Sequence, residues 1–233
     1  FIRQKDIKNA FIKVGIGAEK KSKVISGKEK RITAYHEAGH AILFHVLPDV
    51  GPVHTVSIIP TGVGAAGYTM PLPEKDEMFI TKGQLLQDIM VSLGGRIAEE
   101  LILDDITTGA SQDIKTATAT ARDMVTKYGF SEAIGMINYA DSDEVFIGKS
   151  KAHTRPYSEK TAAEMDAEIR AIIDEAYEKC REILARYKTE LTAVAEYLLE
   201  HETMERDAFL TVFGEKTHEQ PENVPAVDAE DQD

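Results

Sequence analysis

One pentapeptide, HEAGH at residues 36–40, constrains this chain more than any other part of its sequence. On an α-helix, residues four apart lie on the same face, so the side chains of His36 and His40 can reach one metal ion. The carboxylate of Glu37 can then reach a water molecule on that ion. Aliphatic neighbours favour a helix here, although Gly39 weakens it. The pattern predicts a helix with the zinc arrangement of zinc proteases; the alternative is a partly buried helix with two solvated histidines.

Composition and charge are those of a globular, acidic protein. Of the 233 residues, 42% are hydrophobic and only 7% are aromatic, with no tryptophan, which indicates an aliphatic core of the kind found in helical proteins. The net charge is −13, although residues 1–31 hold ten Lys and Arg residues against three acidic ones. The remainder of the chain is therefore strongly acidic, which argues against nucleic acid as a partner.

The sequence shows no sign of disulfides, export or membrane insertion. Cys180 is the only cysteine, so no internal disulfide can form, and its helical context predicts a core residue. No run approaches the ~20 apolar residues of a membrane span, and no signal peptide opens the chain. The start at Phe1 instead of methionine predicts a fragment, and these features together predict a cytosolic chain.

Periodicity and turn residues predict a mostly α (α+β) fold: a helical metallopeptidase domain with the HExxH helix, a small β-sheet and a C-terminal helical bundle. The predicted helices cover residues 1–14, 28–47, 82–102 with an interruption at Gly94-Gly95, 111–128, a long segment from 159, 189–201 and 204–213. Strands are predicted over 53–59 and 64–70. The polar segment 138–158 is predicted to be a mobile connection.

The second predicted strand has a possible role in binding. It is short, contains small residues, and could accept an extended peptide as an added strand through its backbone groups. Gly67, Tyr68 and Thr69 are the candidate residues for such a contact. An ordinary strand of a small sheet explains the pattern equally well.

A catalytic zinc ion usually has three protein ligands and one open position, so a third ligand is needed. The metzincin pattern, which requires a histidine six residues after the second one, is excluded by Val46. His45 faces another side of the helix, and His54 begins a strand, so both are expected to be structural.

Two downstream carboxylates remain as candidates for the third ligand. Glu100, followed four residues later by Asp104, has the spacing of thermolysin-like enzymes, in which a helical glutamate binds the metal. Asp113 lies just inside the next predicted helix. Spacing alone does not choose between Glu100 and Asp113.

Four ordered motifs resemble the peptidase domain of FtsH, the membrane-anchored AAA+ zinc protease of bacteria and organelles. They are TAYHEAGHA at 33–41, GYT at 67–69, GGRIAEEL at 94–101 and TTGASQDI at 107–114. The similarity extends over residues 7–213. By position, the resemblance implies one zinc ion per chain with His36, His40 and Asp113 as ligands and Glu37 as the catalytic residue. It also implies Glu100 as a supporting carboxylate, hydrogen-bonded to a ligand histidine.

The resemblance also implies how the chain is divided and what surrounds it. Residues 1–20 would be the end of an ATPase lid or linker, 21–214 the zinc peptidase domain, and 215–233 a disordered acidic tail. The family forms homohexamers at the cytoplasmic face of a membrane and degrades unfolded or membrane proteins with ATP. This chain contains no G-x-x-x-x-G-K-[ST] phosphate loop and no membrane segment. We therefore expect the ATPase and the anchor to lie outside it, ATP to act only through that module, and the fragment itself to be soluble.

The sequence thus predicts a zinc-dependent endopeptidase that acts on unfolded polypeptides. One alternative is a stand-alone thermolysin-like peptidase with Glu100 as the third ligand. Another is a non-catalytic helical assembly module stabilised by structural zinc. Glu37 argues against the assembly module, because a structural site needs no base beside an open coordination position.

Overall fold

The computed structural model describes residues 25–62, 65–72, 78–103, 105–140 and 157–214, together with Ala10 and Val14. The predicted helix over 1–14 therefore lies almost wholly outside the described residues, and so do most of the predicted connection over 138–158 and the tail after residue 214. Asp104 also lies outside them.

Helices dominate the described chain, and three short strands form one sheet, so the predicted mostly α (α+β) fold is confirmed. The helices are α1 (Gly27–Val46), α2 (Lys82–Leu103), α3 (Ser111–Thr126), α4 (Glu159–Arg186), α5 (Lys188–His201) and α6 (Arg206–Val212), with a 3-10 turn at Thr108–Ala110 just before α3. The strands are β1 (Val53–Ser57), β2 (Tyr68–Pro71) and β3 (Thr203–Glu205).

Helix α1, which carries the HEAGH sequence, is central to the fold. Its start is fixed by a capping box, in which the Ser26 hydroxyl accepts from the Glu29 amide at 3.2 Å and the Glu29 carboxylate accepts from the Ser26 amide at 3.1 Å. Helices α2, α4 and α5 and the strands β1 and β2 all pack on it. Its middle is consequently buried, and the histidines enter the interior of the domain.

The sheet has the order β2-β1-β3, and both pairings are antiparallel. Val56 in β1 lies opposite Thr69 in β2 and Met204 in β3. The second strand is shorter than predicted and begins at Tyr68. Within the described residues β2 has a neighbouring strand on one side only, so it is an edge of this sheet.

The predicted interruption of α2 at Gly94-Gly95 is wrong, because the helix is continuous from Lys82 to Leu103. These glycines do not break the helix; they allow α2 to pack closely against α1. A Cβ atom on Gly39 of α1 would lie 2.5 Å from the Gly94 carbonyl oxygen and 2.7 Å from the Ala98 Cβ. The two helices therefore cross with their backbones nearly in contact, which only glycine allows.

Cys180 is buried between α4 and α2, as predicted for a core residue. Its thiol donates to the Met90 carbonyl oxygen at 3.6 Å, and burial raises its pKa above the ordinary value. No helix among the described residues has both the length and the apolar character needed to cross a membrane.

The α1–α2 crossing predicts a specific effect of one added methyl group. Gly39→Ala should destabilise the domain by about 1–3 kcal/mol, because the methyl group has no space between the helices. Alanine is the better helix former by about 1 kcal/mol. A net loss of stability would therefore have to come from steric crowding between the two helices. Urea unfolding would measure it. Gly27→Ala is the control, since a Cβ there meets nothing within 4 Å, and equal stability of the two variants would contradict the close crossing.

Candidate metal centre

Two imidazoles and a carboxylate converge on one point. His36 and His40 lie one turn apart on α1, and their Nε2 atoms are 3.1 Å apart. Asp113, in the first turn of α3, brings its Oδ2 atom to 3.3 Å from the His36 Nε2 and 3.9 Å from the His40 Nε2. Among the described residues, these three form the cluster whose ligand atoms are close enough to hold one metal ion.

The opposite ring nitrogens are both engaged by acceptors. The His36 Nδ1 lies 2.8 Å from the Glu99 Oε1, and the His40 Nδ1 lies 2.7 Å from the Val91 carbonyl oxygen. A carboxylate and a carbonyl can only accept, so both Nδ1 atoms carry the hydrogen. In the neutral imidazoles the Nε2 lone pairs are then left for a cation, which is the usual arrangement behind metal-binding histidines.

These separations fit a tetrahedral zinc ion. Ligand atoms about 2.0–2.2 Å from a tetrahedral centre are about 3.3–3.6 Å from one another. Of the observed separations, 3.3 Å lies within that range, 3.1 Å just below it and 3.9 Å above it. Two neutral nitrogens and one carboxylate oxygen are also a donor set that zinc prefers.

The carboxylate behind His36 belongs to Glu99, which corrects the prediction of Glu100. Glu99 is fully buried, whereas Glu100 is exposed and its Oε2 accepts from the Tyr177 hydroxyl at 2.6 Å. One residue along a helix is a rotation of about 100°, so the two glutamates of the motif face different neighbours. The same orientation removes Glu100 from the candidates for the third ligand.

A row of residues on α2, which the sequence motifs did not predict, supports the histidines. Val91, Gly95 and Glu99 are four residues apart and so share one face of α2, which lies against the HEAGH face of α1. A Cβ on Gly95 would lie 2.5 Å from the His36 Nε2, so glycine leaves the space that the ring occupies. Gly95 and Glu99 are four residues apart, as His36 and His40 are, and this equal spacing is the sequence signal that the two helix faces can pair.

Glu37 points away from this row and toward the sheet. It is buried, and its Oε2 accepts from the Thr69 hydroxyl of β2 at 2.8 Å, while that hydroxyl also lies 3.1 Å from the Glu37 carbonyl oxygen. A Cβ on Gly67 would lie 2.6 Å from the Ser57 carbonyl oxygen and 2.9 Å from the Glu37 Cγ. The segment before β2 thus packs directly on Glu37 because residue 67 has no side chain.

The cluster attracts positive charge. Burial lowers the pKa of His36, but hydrogen bonds to Asp113 and Glu99 and the charge of Glu37 outweigh it and raise that pKa to about 10. Burial, together with the charge of His36, lowers the pKa of His40 to about 4. His36, which contacts both carboxylates, is therefore a positively charged imidazolium at neutral pH in the metal-free chain. A divalent cation bound here would supply the positive charge in its place.

The carboxylates have unequal environments. Burial raises the pKa of Glu37 to about 7, against the opposing effects of His36 and the Thr69 hydroxyl. Burial also opposes ionisation of Glu99 and Asp113, but hydrogen bonds with His36 lower the pKa of both. Asp113 has 30% of its side chain exposed, against 12% for His36 and 10% for His40, so the cluster opens to solvent on the Asp113 side.

Known proteins of similar sequence include a family of peptidases. The profile of Peptidase family M41 matches residues 23–212. A protein of Caldicellulosiruptor bescii named "ATP-dependent zinc metalloprotease FtsH" is 49% identical over 209 residues, which are 89% of this chain and 34% of that protein. Proteins of the same name from Veillonella parvula and Thermotoga maritima are 46% and 44% identical over 95% and 92% of this chain. The chain spans about a third of the length of these relatives, 34% and 35% in the last two.

The two adjacent glutamates of α2 offer a matched test of the support behind His36. Glu99→Gln should weaken zinc binding by about 10–100-fold, because it removes the charge that fixes and polarises the imidazole. Glu100→Gln should leave zinc affinity unchanged, since Glu100 contacts Tyr177 instead. Competition with a chromophoric chelator would measure both affinities. Equal effects of the two substitutions would contradict the assignment.

Proposed function

This chain belongs to Peptidase family M41, a family of metalloproteases, and from that premise we propose that it is a zinc-dependent endopeptidase acting on unfolded or membrane polypeptides. One observation carries the proposal: two Nε2 atoms and one carboxylate oxygen converge within 3.9 Å, and Glu37 lies beside the first histidine. A metal site with a neighbouring buried carboxylate is the arrangement that peptide hydrolysis needs.

We assign the metal ligands to His36, His40 and Asp113, with one zinc ion per chain. A bound zinc ion would supply Lewis acidity, which lowers the pKa of a water molecule and polarises a carbonyl group. Each histidine would bind through Nε2, because its Nδ1 donates to Glu99 or to the Val91 carbonyl. Asp113 would supply a charged oxygen from the more exposed side of the cluster.

We assign the proton transfers to Glu37. The Thr69 hydroxyl occupies its Oε2, which leaves Oε1 as the atom that takes the proton of the attacking water and returns it to the leaving amine. Burial excludes bulk water from this carboxylate, and the hydrogen bond from β2 fixes its orientation. Glu37 is thus the catalytic residue of the proposal.

We propose that the substrate binds as an added strand along β2, at Gly67, Tyr68 and Thr69. The support is the position of β2 at an edge of the sheet and the contact of Thr69 with Glu37. Because Thr69 of β2 contacts Glu37, we propose that a peptide bond of an added strand, about 4.8 Å from β2, lies beside the base. Binding through backbone groups gives little side-chain specificity, which suits a protease that receives unfolded chains.

We further propose that residues 21–214 are the proteolytic part of a larger ATP-dependent protease. The support is the name of the relatives, which are about three times as long as the matched region. In this proposal residues 1–20 lead from an ATPase module that unfolds the substrates, and residues 215–233 are a disordered tail. The full protein would be a homohexamer at the cytoplasmic face of a membrane, with no nucleic-acid partner.

The first test separates proton transfer from metal binding. Glu37→Gln should reduce cleavage of unfolded casein by at least about 100-fold, because a general base contributes about 10²–10⁴-fold. Zinc content, measured by atomic absorption, should stay at that of the unchanged chain. Glu196→Gln, at an exposed position of α5, is the matched control and should keep full activity. Retained cleavage in Glu37→Gln would refute the assigned base.

The second test concerns the edge strand. Peptide substrates N-methylated at one backbone position at a time should show alternation, because every second N–H of an added strand points toward β2. Methylation at a pairing position should raise KM about fivefold, the equivalent of one lost hydrogen bond of about 1 kcal/mol. Methylation at the next position should leave KM unchanged. A KM that does not alternate along the peptide would exclude strand addition.

A further inference from the structure

The segment between α2 and α3 is held at Thr107 by two side chains of α2. The Thr107 amide donates to the Glu99 Oε2 at 2.9 Å, and its carbonyl oxygen accepts from the Arg96 Nη2 at 2.7 Å. Arg96 and Glu99 are three residues apart and so lie on one side of α2. Both backbone groups of a single residue are therefore fixed to the helix that also supports His36.

Thr107 is joined rigidly to the residues that follow it. Its hydroxyl accepts from the Gly109 amide at 3.1 Å and caps the 3-10 turn Thr108–Ala110. That turn continues without a break into α3, where Asp113 is in the first turn. The position of Asp113 relative to the histidines thus follows from the position of Thr107.

Arg96 occupies this place at an energetic cost. Its Nε atom is buried and has no hydrogen-bond partner in the part of the chain that the structure describes. A buried unpaired donor costs free energy, which a methionine or leucine at this position would not incur. The hydrogen bond from Arg96 to the Thr107 carbonyl is the interaction that those side chains could not make.

We propose that Arg96 is a positioning residue for the metal centre, which holds Asp113 at the two imidazoles by fixing the Thr107 carbonyl from α2. This rests on the proposed function, because it takes Asp113 as a zinc ligand. The hydrogen bond described for Arg96 is to the Thr107 carbonyl, and none is described between Arg96 and either histidine. Its effect on zinc affinity is transmitted through Thr107 and the 3-10 turn.

A double-mutant cycle on the full 233-residue chain tests the proposal. Zinc affinity would be measured by chelator competition for the unchanged chain, Arg96→Met, Asp113→Asn and the double variant. Arg96→Met should weaken binding about tenfold, the lower end of the range for residues behind metal ligands. In the Asp113→Asn background the same substitution should have no further effect, because the ligand through which Arg96 acts is already lost. Arg96→Lys, which keeps a charged donor, should restore part of the affinity.

Arg122→Met is the matched control, because it removes the same charge from an exposed position of α3 and should not change zinc affinity. Thr107→Val is a second route if Arg96→Met fails to fold. It removes the hydroxyl of a half-buried residue, which caps the 3-10 turn and also hydrogen-bonds to Glu99, and it should weaken zinc binding several-fold, by less in the Asp113→Asn background than in the native one.

The outcomes separate the two proposals. Coupling between Arg96 or Thr107 and Asp113 supports the positioning role. Additive effects, or an unchanged affinity in the single variants, overturn that role while leaving the metal centre intact. If the unchanged chain binds no zinc, or if Asp113→Asn does not weaken binding, the proposed ligand set fails and the positioning role fails with it.

Discussion

The close crossing of α1 and α2 is the constraint on which the candidate metal centre depends. Gly39 and Gly94 let the two backbones approach to a distance at which no Cβ fits, and Gly95 leaves space for the His36 ring. Because the helices are so close, the Val91 carbonyl and the Glu99 carboxylate reach the two imidazoles at 2.7 and 2.8 Å. If a layer of side chains separated α1 from α2, both hydrogen bonds would be broken. The orientation of the histidines is therefore a consequence of helix packing and not of the HEAGH sequence alone.

Two buried glutamates next to His36 have opposite pKa shifts, because hydrogen bonds outweigh burial at Glu99 and burial outweighs the hydrogen bond at Glu37. Glu99 accepts from the His36 ring and from the Thr107 amide, and these donors lower its pKa despite burial. Glu37 accepts from the neutral Thr69 hydroxyl, and burial raises its pKa to about 7. A carboxylate that stays ionised is suited to accepting a hydrogen bond from an imidazole. A carboxylate whose pKa is near 7 is suited to taking up and releasing a proton. The proposed roles of the two residues follow from this difference.

The sequence predicted the parts of the centre that depend on local spacing, and it failed where tertiary packing decides. The helix around His36 and His40 follows from the four-residue spacing and its aliphatic neighbours, and the mostly helical fold follows from the periodicity of the other segments. Asp113 could not be selected by spacing, because the α2–α3 connection brings it to the histidines; the resemblance selected it. Glu99 and Glu100 differ by about 100° around a helix, and only contacts with α1 distinguish them. The predicted break at Gly94-Gly95 is absent because helix propensity describes an isolated helix, whereas here α1 requires glycine for close packing.

Thr69 connects the recognition side of the proposed mechanism to its chemical side. It belongs to the edge strand along which we propose that substrate binds, and its hydroxyl is also the group that fixes the Glu37 carboxylate. In this proposal the β2 backbone binds the substrate strand while the Thr69 side chain contacts Glu37, so one strand would orient both the peptide and the base. The metal side has a separate support in α2, through Glu99 and Val91. A substrate held only by its backbone can therefore be placed correctly against both groups, since neither support depends on the substrate's side chains.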